Sequence, residues 1–463
     1  MDANVERFDL VVVGAGPAGL SAAIEARRAG LSVVVLDEQQ RLGGQIYRSI
    51  QDAPAHRRKV LGADYSAGAA LAESFAACGA VHRTGAAVWN VDRDRTVSYL
   101  REGRGQTVRG QAVVLASGAM ERPFPVPGWT LPGVMGAGAA QILYKASGAI
   151  PSEPVVIAGC GPLLLLLAQQ YLDAGLKIKA LVQTTGTADY LRAAPHLFRA
   201  MRGWNDLAKG AKMLRAIRAH GVETYTGASE FSIEGADRAE AIAFRHKGSR
   251  KRIASSLILL HQGVVPNTQL SWSLRAEHRW DEAQLCWIPR TDPYGQIDDT
   301  CIYIAGDSRG IVGAKASATQ GRLAALDIAR RLRRAEPEAM QRRKAELQGE
   351  LRKHVRIRPF LDQLYRPLDD HRIPPDGNVI VCRCEEVNAG KIRKYVEVGC
   401  LGPNQTKAFG RCGMGPCQGR LCGLTVTEVI ADERKVSPQD VGYYRIRPPI
   451  KPITLGELAN LEE

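Results

Sequence analysis

The chain has 463 residues, enough for about three domains, and a net charge of +14. Aromatics make up only 6% of it and no nucleic-acid-binding motif is present, so the basic excess, concentrated in a connector at Arg330–Arg358, does not read as a DNA or RNA surface. No stretch approaches the ~18 apolar residues of a membrane span, and ten cysteines without a leader peptide predict a cytoplasmic protein rather than a disulfide framework.

Asp9–Val13 (DLVVV) predicts a buried parallel strand, Leu20–Ala29 a helix and Ser32–Leu36 a second strand. Between them Gly14, Gly16 and Gly19 form GxGxxG around Pro17 and Ala18. The first glycine permits the turn, the second lets the backbone approach a pyrophosphate, and the third allows close helix–strand packing at a positive helix N-terminus. An acid should then hold the ribose hydroxyls. Asp37, 23 residues after Gly14, is the first candidate and Glu38 the second. Gly43, Gly44 and Gln45 in LGGQ, and AVVLASGA at Ala112–Ala119, resemble the segments that complete a flavin site in two-dinucleotide-domain flavoproteins.

A second strand–turn–helix begins at Val155, with Gly159 and Gly161 in place, but Leu164 stands where the third glycine belongs. Its next strand ends in Gln183, Thr184 and Thr185, with neither an acid for a nicotinamide ribose nor an arginine for a 2′-phosphate. This predicts a degenerate nucleotide site that turns over no NAD(P)H and could hold an adenine nucleotide such as ATP. No Cys-x2-Cys or Cys-x4-Cys occurs in this half, which excludes the dithiol of disulfide reductases. His196, His220, His246 and His261 stand alone, so no catalytic acid–base constellation is expected. Further on, TCIYIAGD is a strand ending in Gly306 and Asp307. It resembles the second flavin motif, in which the Asp meets the ribityl or pyrophosphate region; the competing reading is an ordinary helix cap.

Near the C-terminus, Cys382 and Cys384 form Cys-x-Cys, and Cys412 and Cys417 follow 27 residues later as Cys-x4-Cys in a glycine-rich loop. Thiolates suit zinc and iron–sulfur clusters alike. The Cys-x-Cys pair ahead of a helix-like KIRKYVEVGC and the glycines around the second pair favour a 2Fe-2S cluster. Cys400 and Cys422 could substitute as ligands, but both adjoin apolar runs and read as core residues. Pro448, Pro449 and Pro452 predict an extended tail.

GAGPAGLSAAIEARRAG, LDEQQRLGGQIYR, GCGPLLLLLAQQYLDAG, LLLHQGVVPNTQL, CRCEEV, GRCGMGPCQGRLCG and RIRPPIKPITLGELA together resemble the α subunit of heteromeric dye-linked amino-acid dehydrogenases. That group includes opine oxidase, D-hydroxyproline dehydrogenase, hydrogen cyanide synthase and, in part, sarcosine oxidase. The resemblance implies an α/β protein of two nested Rossmann-like domains followed by a small helical 2Fe-2S domain like bacterioferritin-associated ferredoxin. The longer Cys-x4-Cys departs from that ferredoxin's Cys-x2-Cys and makes Cys417 the weakest ligand assignment. The expected boundaries are 1–128 with 268–335 for FAD, 150–267 for the second nucleotide domain, 336–375 for the connector, 376–435 for the cluster and 436–463 for the tail. The resemblance further implies a flavin-bearing β subunit of D-amino-acid-oxidase-like fold, and in some assemblies a small γ subunit. The partner would oxidise a secondary amine, and this chain would carry the electrons. The rival readings are a self-contained NAD(P)H:acceptor oxidoreductase and a redox- or iron-sensing binding protein.

Overall fold

The computed structural model describes residues 5–201, 203–333 and 337–461. Its first sheet grows from the valine-rich N-terminus. Strand Glu6–Val13 pairs in parallel with Val33–Asp37 on one side and Arg104–Leu115 on the other, with Leu10 opposite both Val33 and Ala112. Both faces of Leu10–Val12 are covered, which is why the strand is a continuous apolar run rather than an alternation. Ile302–Ile304 joins the far side of Arg104–Leu115, also in parallel, and brings the late Gly-Asp turn beside the first glycine turn. Helices Pro17–Arg28 and Ala314–Arg331 lie against each other so closely that a Cβ at Gly321 would fall 2.0 Å from the Ala18 carbonyl.

The second unit is inserted between Arg104–Leu115 and Ile302–Ile304. Its parallel sheet runs in the order Glu223–Tyr225, Ile178–Gln183, Val155–Cys160, Ile258–Gln262, Val134–Gly136. The edge strand and the helix after it, Ala137–Ser147, precede the glycine turn, so the unit starts upstream of residue 150. An antiparallel link, Ala119–Glu121 against Val264–Pro266, carries the chain out and back.

The cysteine segment consists of a hairpin, Ile380–Cys382 with Val387–Asn388, and helices Ala389–Glu397, Pro403–Gly410 and Gly423–Arg434. Among the described residues it has no core of its own. Cys382, Ile392, Cys412, Cys422 and Val426 share one apolar cluster with Val11, Val34, Val113 and Ile304 of the first sheet. At roughly 1.5–3 kcal/mol per fully buried large aliphatic side chain, this shared core holds the cysteine segment against the dinucleotide sheet. Connector helix Pro337–Val355 packs on Ala314–Arg331 through Leu323, Leu326, Met340 and Leu347. A buried pair, Arg372 with Glu428, ties the connector to helix Gly423–Arg434. The tail crosses the first sheet, where the Ile450 amide donates to Trp89 O, and then forms a short helix at Leu455–Ala459. No described helix is long and apolar enough to cross a membrane.

Candidate cofactor cavity and thiol centre

The glycine turns of both units open into one cavity of about 2100 Å³. Gly14 has φ +104° and no room for a side chain, since a Cβ would meet Ala116 O at 2.5 Å. A Cβ at Gly19 would fall 1.9 Å from Gly14 O, so helix and strand touch there through backbone. Gly16 is different: its φ is −80°, and an added Cβ would come no nearer than 3.9 Å to protein, at Gly44 Cα. The space beside it belongs to the cavity, which is what a group approaching the helix N-terminus requires. Gly16, Pro17, Ala18, Gly44 and Gln45 line this wall. Gly43 lies behind it, donating its amide to Ala15 O.

Asp37 and Glu38 sit at the strand end on the same wall. Asp37 accepts from the amides of Ala15 and Gln39, and burial raises its carboxyl above the usual range despite those bonds. Burial acts the same way on Glu38, but the ammonium of Lys451 outweighs it and holds this carboxyl low. The tail thus engages Glu38 and leaves Asp37 to the strand end. Gly306 and Asp307 line the same cavity beside the first glycine turn, close enough that a Cβ at Gly306 would lie 2.8 Å from Ala18 Cβ. Asp307 Oδ1 accepts from the amides of Val312 and Gly313 at 2.8 and 2.9 Å, a staple ahead of helix Ala314–Arg331. Asp307 is therefore both a turn former and a cavity residue.

The second glycine turn is narrower. Gly159 and Gly161 have φ of +134° and +111°; a Cβ on the first would fall 1.7 Å from His261 O, and only Gly161 reaches the cavity. Leu164 is fully buried in the helix–strand contact. Gln183, Thr184 and Thr185, where a nicotinamide ribose would be held, are buried under the Ala228 and Gly227 amides, which donate to Gln183 O and Thr185 O. His261 is not solitary: its Nδ1 lies 2.6 Å from Glu121 Oε1 across the link between the units. His261 lies in strand Ile258–Gln262, and nothing near it in the sequence marked Glu121 as its partner.

The Sγ atoms of Cys382, Cys412 and Cys422 lie within 4.8 Å of one another, and all three residues are buried. Cys384 is exposed at the rim, and its thiol and that of Cys417 interact. Hydrogen bonds from Cys412 and Cys422 hold Cys382 at about 2, while bonding to Cys382 pushes Cys412 up to about 12. A soft cation would take them as thiolates and release those protons. Cys400 lies outside the group, its thiol donating to Gly402 O. Cys422 is a core residue, as its apolar neighbours suggested, and its sulfur also joins the thiol group. The signal was present in the spacing, because Cys417-x4-Cys422 repeats Cys412-x4-Cys417. The glycines of this loop make room for the thiols and their support. A Cβ at Gly415 would strike Cys384 Cβ at 2.2 Å, and one at Gly413 would strike the Tyr444 ring at 2.4 Å. Tyr444 Oη donates to Cys412 O at 3.0 Å and reaches Cys412 Sγ at 3.4 Å. Five thiols of this kind supply more than the four soft donors that a 2Fe-2S cluster needs.

Thiol loop and cavity are joined. Arg420, between Cys417 and Cys422, lines the cavity and donates to Ile450 O, one residue before the Lys451 that holds Glu38.

The sequence pattern of the family described as pyridine nucleotide-disulphide oxidoreductase matches residues 8–331. The chain belongs to that family. The sarcosine oxidase A3 domain pattern matches residues 378–461, the part that carries the thiols. The A subunit of opine oxidase from Rhizobium meliloti is 46% identical over 98% of this chain and 88% of its own length. Its counterpart from Agrobacterium tumefaciens is 45% identical over 98% and 92%. Hydrogen cyanide synthase subunit HcnB of Pseudomonas aeruginosa is 31% identical over 97% and 98%. Among solved structures, L-proline dehydrogenase from P. horikoshii superimposes with a TM-score of 0.74 at 18% identity, covering 99% of this chain and 81% of that one. That likeness establishes the nested two-domain fold. The chain is an oxidoreductase of the flavin-dinucleotide type, and these curated relatives are subunits of larger enzymes.

Proposed function

We propose that this chain is the electron-transfer subunit of a heteromeric opine or amino-acid oxidase. Its partner, a β subunit of D-amino-acid-oxidase-like fold, oxidises the CH–NH bond of a secondary amine such as an opine or D-hydroxyproline; a small γ subunit completes some assemblies. The observation that carries this reading is the joining of a thiol centre to a flavin-type cavity in a chain 46% identical to the A subunit of an opine oxidase. When bound, FAD supplies two-electron chemistry and a 2Fe-2S cluster one-electron chemistry. The protein's part is to hold both groups in a fixed relation. Gly14, Gly16 and Gly44 bring backbone to the pyrophosphate, and Asp37 holds the ribose. Asp307 faces the dinucleotide from the adjoining strand end. Cys384 and Cys417 supply one pair of cluster ligands, and two of the three converging thiols, Cys382, Cys412 and Cys422, supply the other; the hydroxyl of Tyr444 that donates to Cys412 Sγ favours its thiolate and is compatible with ligation.

The NADH-oxidising alternative is opposed by the covered strand end at Gln183–Thr185. The second turn, with Gly161 on the cavity wall, suits a resident adenine nucleotide such as ATP better than an exchanging dinucleotide.

Copurification with the partner, followed by dye reduction with opines, D-hydroxyproline, proline and sarcosine, tests the assignment. Amine-dependent reduction that needs both subunits is the expected result. Rapid stoichiometric bleaching of the isolated chain by NADH or NADPH would refute it.

A further inference from the structure

Two buried cations face the cavity, and among the described residues no carboxylate pairs with either. Arg48 and Lys145 are 8% and 6% exposed, both line the cavity, and both converge on Gln45. Arg48 Nη2 donates to Gln45 Oε1 at 3.1 Å, and Lys145 Nζ donates to Gln45 O at 3.2 Å. Arg48 Nε is buried with no hydrogen-bond partner among the described residues. Among the described residues, the groups packed around Lys145 bring it no negative charge. Arg57 donates to Lys145 O, and the Tyr65 ring lies 6.0 Å from Nζ. On its own helix Tyr144 meets Tyr171 edge-on, and Asp173 is felt at Tyr144 rather than at the ammonium. A buried ammonium beside a buried guanidinium is costly unless an anion completes it.

We propose that Arg48 and Lys145 form an oxyanion-binding subsite, which receives a carboxylate or phosphate group of a second molecule bound beside the flavin dinucleotide. The inference rests on reading the cavity as a flavin site. The cavity, about 2100 Å³, exceeds the ~300–1,000 Å³ of an ordinary single-ligand pocket, so it has room for a second occupant. Burial, with the Arg48 charge added, lowers the Lys145 ammonium to about 7. The sign follows directly. Below pH 7 Lys145 is charged and the subsite attracts anions; above it the amine is neutral, and each bound anion must bring one proton with it. Affinity should therefore fall by up to about tenfold per pH unit above pH 7.

The test uses the FAD-loaded full chain. Inorganic phosphate and benzoate are titrated separately at constant ionic strength, followed by flavin difference absorbance and calorimetry. One saturable site per chain is expected, with binding at least about tenfold weaker in Lys145→Met and Arg48→Gln than in the wild type. Both variants should keep stoichiometric FAD and iron, which also shows that they fold. Preference for phosphate assigns a phosphoryl group, and preference for benzoate a carboxylate. The wild-type pH profile needs no variant. Absence of saturable binding, or binding independent of pH between 6 and 9, overturns the proposal. So does loss of FAD in either variant, because the cations would then serve the dinucleotide's own phosphates. Iron content and partner-dependent dye reduction report on the electron-transfer reading separately.

Discussion

Replacing Gly16 by valine separates folding from cofactor binding. Residue 16 has φ −80° and ψ −176°, a conformation open to any residue, and its added Cβ meets no protein atom within 3.9 Å. The helix loses only a glycine N-cap that makes no side-chain bond, a cost of about 1 kcal/mol or less. The bound pyrophosphate is another matter, since the valine methyls would project into the space it needs. A loss of about 3 kcal/mol in binding is about a hundredfold in FAD affinity. The purified variant should show a normal far-ultraviolet circular dichroism spectrum and unfolding midpoint, with little visible flavin absorbance. Gly19→Ala provides the contrast. Its Cβ would lie 1.9 Å from Gly14 O, so it should destabilise the fold itself by about 1–3 kcal/mol, partly offset by the better helix propensity of alanine. A folded Gly16→Val chain that carries one FAD with wild-type affinity would refute the placement of the dinucleotide.

Cys422→Ser should reduce iron from about two per chain towards zero and abolish the cluster's visible spectrum. Cys400→Ser, equally buried, should bear a similar hydroxyl-burial cost of about 1–3 kcal/mol and keep its iron, so full iron in Cys422→Ser would remove that thiol from the ligand set. Glu428→Gln removes the charge that faces Arg372 while the exposed Asp369 still pairs with it; a loss of about 1–3 kcal/mol is expected in denaturant unfolding, and a change below about 0.5 kcal/mol would show that the pair does not anchor the cysteine segment. Lys451→Ala removes the tail's contact with the half-exposed Glu38, and FAD content measured by absorbance should stay stoichiometric because Asp37 remains. Under anaerobic conditions NADH should leave the flavin of the isolated chain oxidised over minutes, as followed at its visible maximum.

The sequence by itself determined the local units. Valine runs buried on both faces, glycines whose Cβ would strike a carbonyl and an acid at a strand end are short-range necessities, and they are legible because the residues that impose them are close in the chain. The same holds for the missing third glycine at Leu164 and for the cysteine pairs. Tertiary structure decided what those units share. The first sheet and the cysteine segment have one core because Cys382, Cys412 and Cys422 pack against Val11 and Val34, a contact between residues hundreds of positions apart. Cys422 looked like core because apolar neighbours and a buried position are common to packing residues and to thiol ligands; only the convergence of three sulfurs shows that it belongs to the thiol group as well. Arg48 and Lys145 meet at Gln45 for the same kind of reason. Each is an ordinary cation in its own helix or turn, and burial beside the other, on a wall built from both nucleotide units, makes them a site.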